Sequence, residues 1–113
     1  MILITNGNSK WQNYFMIIYV DIDNTVFRTE GTNYEDSIPM ERRIKIINKL
    51  YEKGNTITYW TARGTGSGED YSKLTEEQLR KSGAKYHNLL MGKPVYDLFI
   101  DDKNINSEEY FGR

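Results

Sequence analysis

Apolar and polar positions change period several times along this chain, and the changes mark its elements. Residues 17–20, Ile-Ile-Tyr-Val, form a short continuous apolar run, the pattern of a buried strand. From Met40 the apolar positions recur as Met40, Ile44, Ile47 and Leu50, one face of a helix. Pro39 suits the start of that helix, and Lys49, Lys53 and Gly54 suit its end. Residues 55–60 carry Ile57, Thr58, Tyr59 and Trp60, which favour a second strand. A glycine-rich loop over 64–70 follows. Thr75-Glu76-Glu77-Gln78 then has the spacing of a capping box, with Leu74 and Leu79 placed as its hydrophobic staple. Gly83 closes this second helix. Two more strands are expected, over 87–91 and 96–100, with Gly92-Lys93-Pro94 between them, and a short helix begins near Ser107.

Strands alternating with helices predict an α/β fold with a mostly parallel sheet of about four strands. At 113 residues a single domain is the default. Residues 1–15 fit this scheme poorly. Residues 5–9 are turn-like, and Met16 directly precedes the first strand. Residues 1–15 are therefore read as an extension, or as an added edge strand from residues 1–4, and residues 16–113 as the domain proper.

Composition narrows the function. With 15 basic and 16 acidic residues, the net charge of −1 disfavours a broad nucleic-acid or membrane footprint. The absence of cysteine removes disulfides, thiol nucleophiles and cysteine-based zinc sites. No apolar stretch approaches the ~20 residues that span a bilayer, and no secretory signal is evident, so a cytoplasmic location is expected.

The candidate chemistry lies where the strands end. The first runs into Asp21-Ile22-Asp23-Asn24-Thr25. In extended backbone, residues two apart face the same side, about 7 Å from one another, so Asp21 and Asp23 address one small volume. The second strand ends at Thr61, and the last at Asp101-Asp102, with Lys93 in the break before it. In a parallel sheet these ends share one rim, where open α/β sheets bind their ligands. Like charges about 4 Å apart repel by on the order of 4 kcal/mol at an effective dielectric near 20, so four aspartates there call for protonation or a cation. An all-oxygen site without histidine or cysteine favours a hard ion such as Mg²⁺. With the Lys93 ammonium and the Thr61 hydroxyl it would receive a phosphoryl group. One aspartate could attack phosphorus, and the other could serve as acid and base.

Taken in order, Asp21-Ile22-Asp23-Asn24-Thr25, Thr61, Lys93 and Asp101-Asp102 resemble the four motifs of the haloacid dehalogenase superfamily of phosphatases, over residues 16–111. The resemblance implies a small Rossmann-like three-layer sandwich. It implies Asp21 as nucleophile and Asp23 as general acid and base. Thr61 and Lys93 would hold the phosphate, with Asn24, Thr25 and Arg63 beside it, and Asp21, Asp23, Asp101 and Asp102 would be the Mg²⁺ site. Members commonly carry glycine where this chain has Asn24, a residue that also tolerates left-handed backbone. Neither the stretch after the first motif nor residues 62–92 has room for a cap domain, so the chain resembles the capless members, which have open sites or borrow a lid from a neighbouring subunit.

Each residue alone has a plainer reading. Asp21 and Asp23 could end a strand in solvent, Asp101-Asp102 could be a turn, and Lys93 a loop lysine. Arg63 could touch substrate or pair with Glu69 or Asp70. His87 reads as structural. The expectation is a Mg²⁺-dependent phosphomonoesterase working through an aspartyl-phosphate on a sugar phosphate or other small metabolite. Its alternatives are a polynucleotide 3′-phosphatase or nucleotidase, and a non-catalytic phosphate- or metal-binding module.

Overall fold

The computed structural model describes residues 15–112. The extension reading therefore lies, apart from Phe15, outside the described residues. Three parallel strands form the sheet: β1 (Ile17–Val20), β4 (Thr56–Trp60) and β5 (Asn88–Leu90), in the order β1-β4-β5. Between β1 and β4 lie a small antiparallel hairpin, β2 (Phe27–Arg28) with β3 (Ile38–Pro39), a 3-10 turn at Tyr34–Asp36, and helix α1 (Glu41–Glu52). Helix α2 (Ser72–Ser82) joins β4 to β5, and a short α3 (Ser107–Phe111) follows.

The periodicity of α1 is realised as expected, with Ile44, Ile47 and Leu50 buried. In β1 and β4 the registered pairs Ile18–Ile57 and Val20–Tyr59 share one face, and Leu89 of β5 continues it. These side chains pack with α1, with Leu79 of α2 and with Phe111 of α3 in one core. The other face presents Ile17, Tyr19 and Leu90 to solvent. Among the described residues all three helices contribute to the first face, so the expected third layer is not formed. No cap interrupts the fold: only the β2–β3 hairpin and the 3-10 turn separate the first motif from α1.

Two local expectations need correction. Residues 96–100, expected as a fourth strand, form none, and Leu98 and Ile100 stand 75% and 85% exposed. The capping box is not used either. Helix α2 starts three residues earlier, at Ser72, where the Asp70 carboxylate accepts from the Ser72 amide and hydroxyl at 2.9 and 2.6 Å. Thr75 is thus inside the helix, its hydroxyl donating to the Tyr71 carbonyl at 2.8 Å. Gly83 does end the helix, in left-handed backbone at φ 78°. His87 is structural as expected, its Nδ1 accepting from the Ile57 amide at 3.1 Å while its ring stacks on Tyr51.

Tyr59 is the one discord in the core. Its ring is fully buried, yet its hydroxyl has no hydrogen-bond partner among the described residues. Burial, helped by the neighbouring Tyr86, pushes its ionisation far above the ordinary tyrosine range. A buried hydroxyl without a partner carries a desolvation penalty of about 1–3 kcal/mol. Tyr59→Phe should therefore leave stability unchanged or raise it by about 1 kcal/mol in urea unfolding. A loss above that amount would mean that the hydroxyl is satisfied after all.

Candidate functional site

The rim is built by continuing the sheet past its strands. The Thr61 amide donates to the Leu90 carbonyl at 3.0 Å, and the Lys93 amide to the Thr61 carbonyl at 3.0 Å. Beyond β1 the chain makes a tight turn around one atom. The Ile22 carbonyl accepts from the amides of Thr25, Val26 and Phe27 at 3.1, 2.9 and 3.0 Å. Asn24 takes φ 61°, the left-handed conformation expected of it, and its side-chain oxygen accepts from the Thr29 amide at 3.1 Å. Ile22 is buried in the core, so Asp21 and Asp23 on either side of it face outward together.

They open into a cleft of about 650 Å³, lined among others by Tyr34, Gly64, Lys93 and Tyr96. The Lys93 ammonium lies 3.3 Å from the Asp21 carboxylate, and the Thr25 hydroxyl donates to Asp21 at 3.4 Å. Lys93 is also within 5.8 Å of the Trp60 ring and 5.5 Å of the Tyr96 ring. The loop over 64–70 forms one wall. Gly64 has φ 83°, and a Cβ there would stand 2.0 Å from the Glu69 carbonyl oxygen, so a side chain at this position would force the wall open.

Arg63 has a task that the sequence left open. It pairs neither with Glu69 nor with Asp70, but with Asp23. Nε donates to both carboxylate oxygens at 3.2 and 3.0 Å, and one terminal nitrogen donates to Oδ1 at 2.8 Å. The same nitrogen reaches the Ser37 hydroxyl at 3.3 Å. The other donates to the Thr75 hydroxyl at 3.1 Å and the Gln78 carbonyl oxygen at 2.6 Å. Its side chain is 0% exposed and lies against the Tyr34 ring. All five N–H groups are occupied, which leaves none for a phosphate. Thr29 adds a donor to Asp23 Oδ1 at 2.6 Å, while among the described residues Oδ2 accepts only from Nε. Burial, and then the Asp23 charge, push the Tyr34 hydroxyl above its ordinary range, against the pull of Arg63.

The structure thus brings Asp21, Asp23, Thr25 and Lys93 together. Thr61 is at the same rim but fully buried, its oxygen accepting from the Arg63 amide at 3.1 Å. Asp101 and Asp102 are elsewhere. Neither lines the cleft, both are exposed, and their partners are local: the Lys103 amide on Asp101 at 3.1 Å and the Lys103 ammonium on Asp102 at 3.4 Å. Among the described residues no three acidic or histidine side chains are close enough to hold a metal ion. A single chain therefore offers two carboxylates at the rim, each already facing a cation, and does not fit the expected Mg²⁺ site.

Sequence reasoning missed Thr29, Ser37, Thr75 and Gln78. The signal for two of them was present and misassigned: the three-residue spacing read as a capping box places Thr75 and Gln78 on one helix face, toward Arg63.

Comparisons with known proteins bear on the fold alone. No family model matches the chain, and no curated protein matches it. Among solved structures it is similar to the crystal structure of an MCSG target from Vibrio cholerae, with a TM-score of 0.73 at 23% identity. That match spans 88% of this chain and 89% of the other. The chain shares the architecture of that protein, a small α/β fold on a parallel sheet. Among the described residues no helix is long and apolar enough to cross a membrane.

Proposed function

We propose that the chain is a phosphomonoesterase of the haloacid dehalogenase type, acting on a small phosphate ester through an aspartyl-phosphate. The observation that carries this reading is the Lys93 ammonium 3.3 Å from the Asp21 carboxylate at the floor of an open cleft. A lysine beside the attacking carboxylate can hold a phosphoryl group against it and offset the charge that develops in transfer. An Asp21 oxygen would bond to phosphorus as the bond to the leaving oxygen breaks. Asp23 would deliver a proton to that oxygen, and in the second step would take one from the water that cleaves the aspartyl-phosphate. Oδ2 is the atom for this, since Thr29 and Arg63 converge on Oδ1. Arg63 acts as a positioning residue, aiming Asp23 while Thr75 and Gln78 aim Arg63.

The competing reading is a phosphate-binding module without turnover, in which the Lys93 ammonium receives the anion while Asp23 stays committed to Arg63. Hydrolysis of p-nitrophenyl phosphate decides between them. The phosphatase reading expects turnover by the wild-type chain in buffer that contains Mg²⁺. Binding of inorganic phosphate with no turnover at any pH from 5 to 8 would support the module.

A further inference from the structure

Among the described residues three features of the fold have no strand or site partner, and they fit one another. Among the described residues the outer edge of β1 carries no strand, and Ile17 beside it is 75% exposed. Residues 95–100, Val-Tyr-Asp-Leu-Phe-Ile, have the composition of a strand but pair with none, and no hydrogen bond ties residues 96–100 to the rest of the described chain. Asp101 and Asp102, directly after that segment, are missing from the rim that holds Asp21, Asp23 and Lys93.

Connection length prevents one chain from joining these features itself. To bring Asp101 to the rim, residues 96–100 must run parallel to β1. The segment leaves from the rim, because β5 ends there and Lys93 sits beside Asp21. Going down the four residues of β1, turning and climbing back takes about ten residues. Seven residues, 94–100, separate Lys93 from Asp101. Parallel neighbours are in any case joined by about a dozen residues or more. Antiparallel pairing would be reachable, but it would carry Asp101 and Asp102 to the opposite end of the sheet.

We propose that the chain works as a dimer that exchanges the segment after the Gly92-Lys93-Pro94 hinge. Residues 96–100 of one copy lie parallel on the β1 edge of a second copy, and their aspartates complete its rim. The acidic pair then stands beside Asp21 and Asp23 of the other copy, which supplies the oxygen donors that one chain lacks. Exchange of an identical element makes the two sites equivalent and closes the assembly at two. It also covers the exposed side chains of both elements, which a lone edge strand would leave open to indiscriminate pairing. Helix α3 follows only five residues behind Asp101 and moves with the strand, making with α1 of the receiving copy the contacts it makes here, Phe111 in the core and Glu108 on Arg43. The proposal deepens the phosphatase reading, since that reading gives the acidic pair its task.

The test uses the absence of cysteine from the sequence. Two tagged forms of the full chain, Tyr19→Cys and Phe99→Cys, are co-expressed and oxidised. Neighbouring strands about 4.8 Å apart allow a disulfide between these positions. A disulfide joining the two forms, and a wild-type mass of twice 13.3 kDa in analytical ultracentrifugation, are expected. A monomer at about 100 µM, well above the μM-to-pM dissociation constants of standard-size interfaces, would overturn the proposal. So would a Tyr19→Cys/Phe99→Cys double variant that closes its disulfide within one chain. A second measurement mixes unfolded Asp21→Asn and Asp102→Asn chains and refolds them together. Each alone is inactive, and random pairing restores about a quarter of the wild-type rate, because half the dimers hold one intact site of two. No restoration with an active wild type would refute the exchange. An inactive wild type that still forms the cross-link would refute the phosphatase reading and leave the exchange standing.

Discussion

Asp21→Asn is expected to lower phosphate-ester hydrolysis on the order of 10⁴-fold or more while leaving the fold intact. The amide keeps the shape of the carboxylate but cannot attack phosphorus. The side-chain partners of Asp21 are Lys93 and Thr25, both at the rim, and none is in the core. Its loss should therefore shift the thermal midpoint by no more than a few degrees, as for surface substitutions in general. Steady-state rates on p-nitrophenyl phosphate, with circular dichroism on the same sample, make the check. Activity within tenfold of wild type would remove Asp21 from the role of nucleophile, and the proposed function with it.

The second large effect is on stability and concerns Arg63. Arg63→Met is expected to destabilise the chain by about 3–5 kcal/mol, the loss seen when one partner of a buried ion pair is removed. Asp23 is 21% exposed at its side chain, so the lower end of that range is the better expectation. A domain of this size has about 5–15 kcal/mol in total, so the change should be plain in urea unfolding. A double-mutant cycle sharpens the point. Asp23→Asn should cost far less when Arg63 is already methionine, because the charge it relieves no longer has its partner. Additive losses would show that the pair contributes nothing of its own.

The legible parts of the fold were those set by short-range pattern. The face of α1 could be read from the spacing of Ile44, Ile47 and Leu50, and the rim from the polar residues after β1 and β4. The left-handed turn at Asn24 could be read from residue type. What failed depended on partners distant along the chain. Residues 96–100 look like a strand, but a strand forms only where an edge can be reached, and connection length is not a property of the segment itself. Arg63 is 40 positions from Asp23, and the sequence offered Glu69 and Asp70 as nearer carboxylates. Thr75 and Gln78 showed the opposite difficulty, because a spacing of three marks both a helix start and a helix face. The start lay instead at Asp70 and Ser72.

Phe111 is a core residue, packed against elements that precede it by more than thirty positions. During synthesis the ribosome holds the last few tens of residues in its exit tunnel. The sheet and α1 emerge first and keep part of their apolar surface uncovered until a helix α3 packs on them, so the interior closes last on its most distant element.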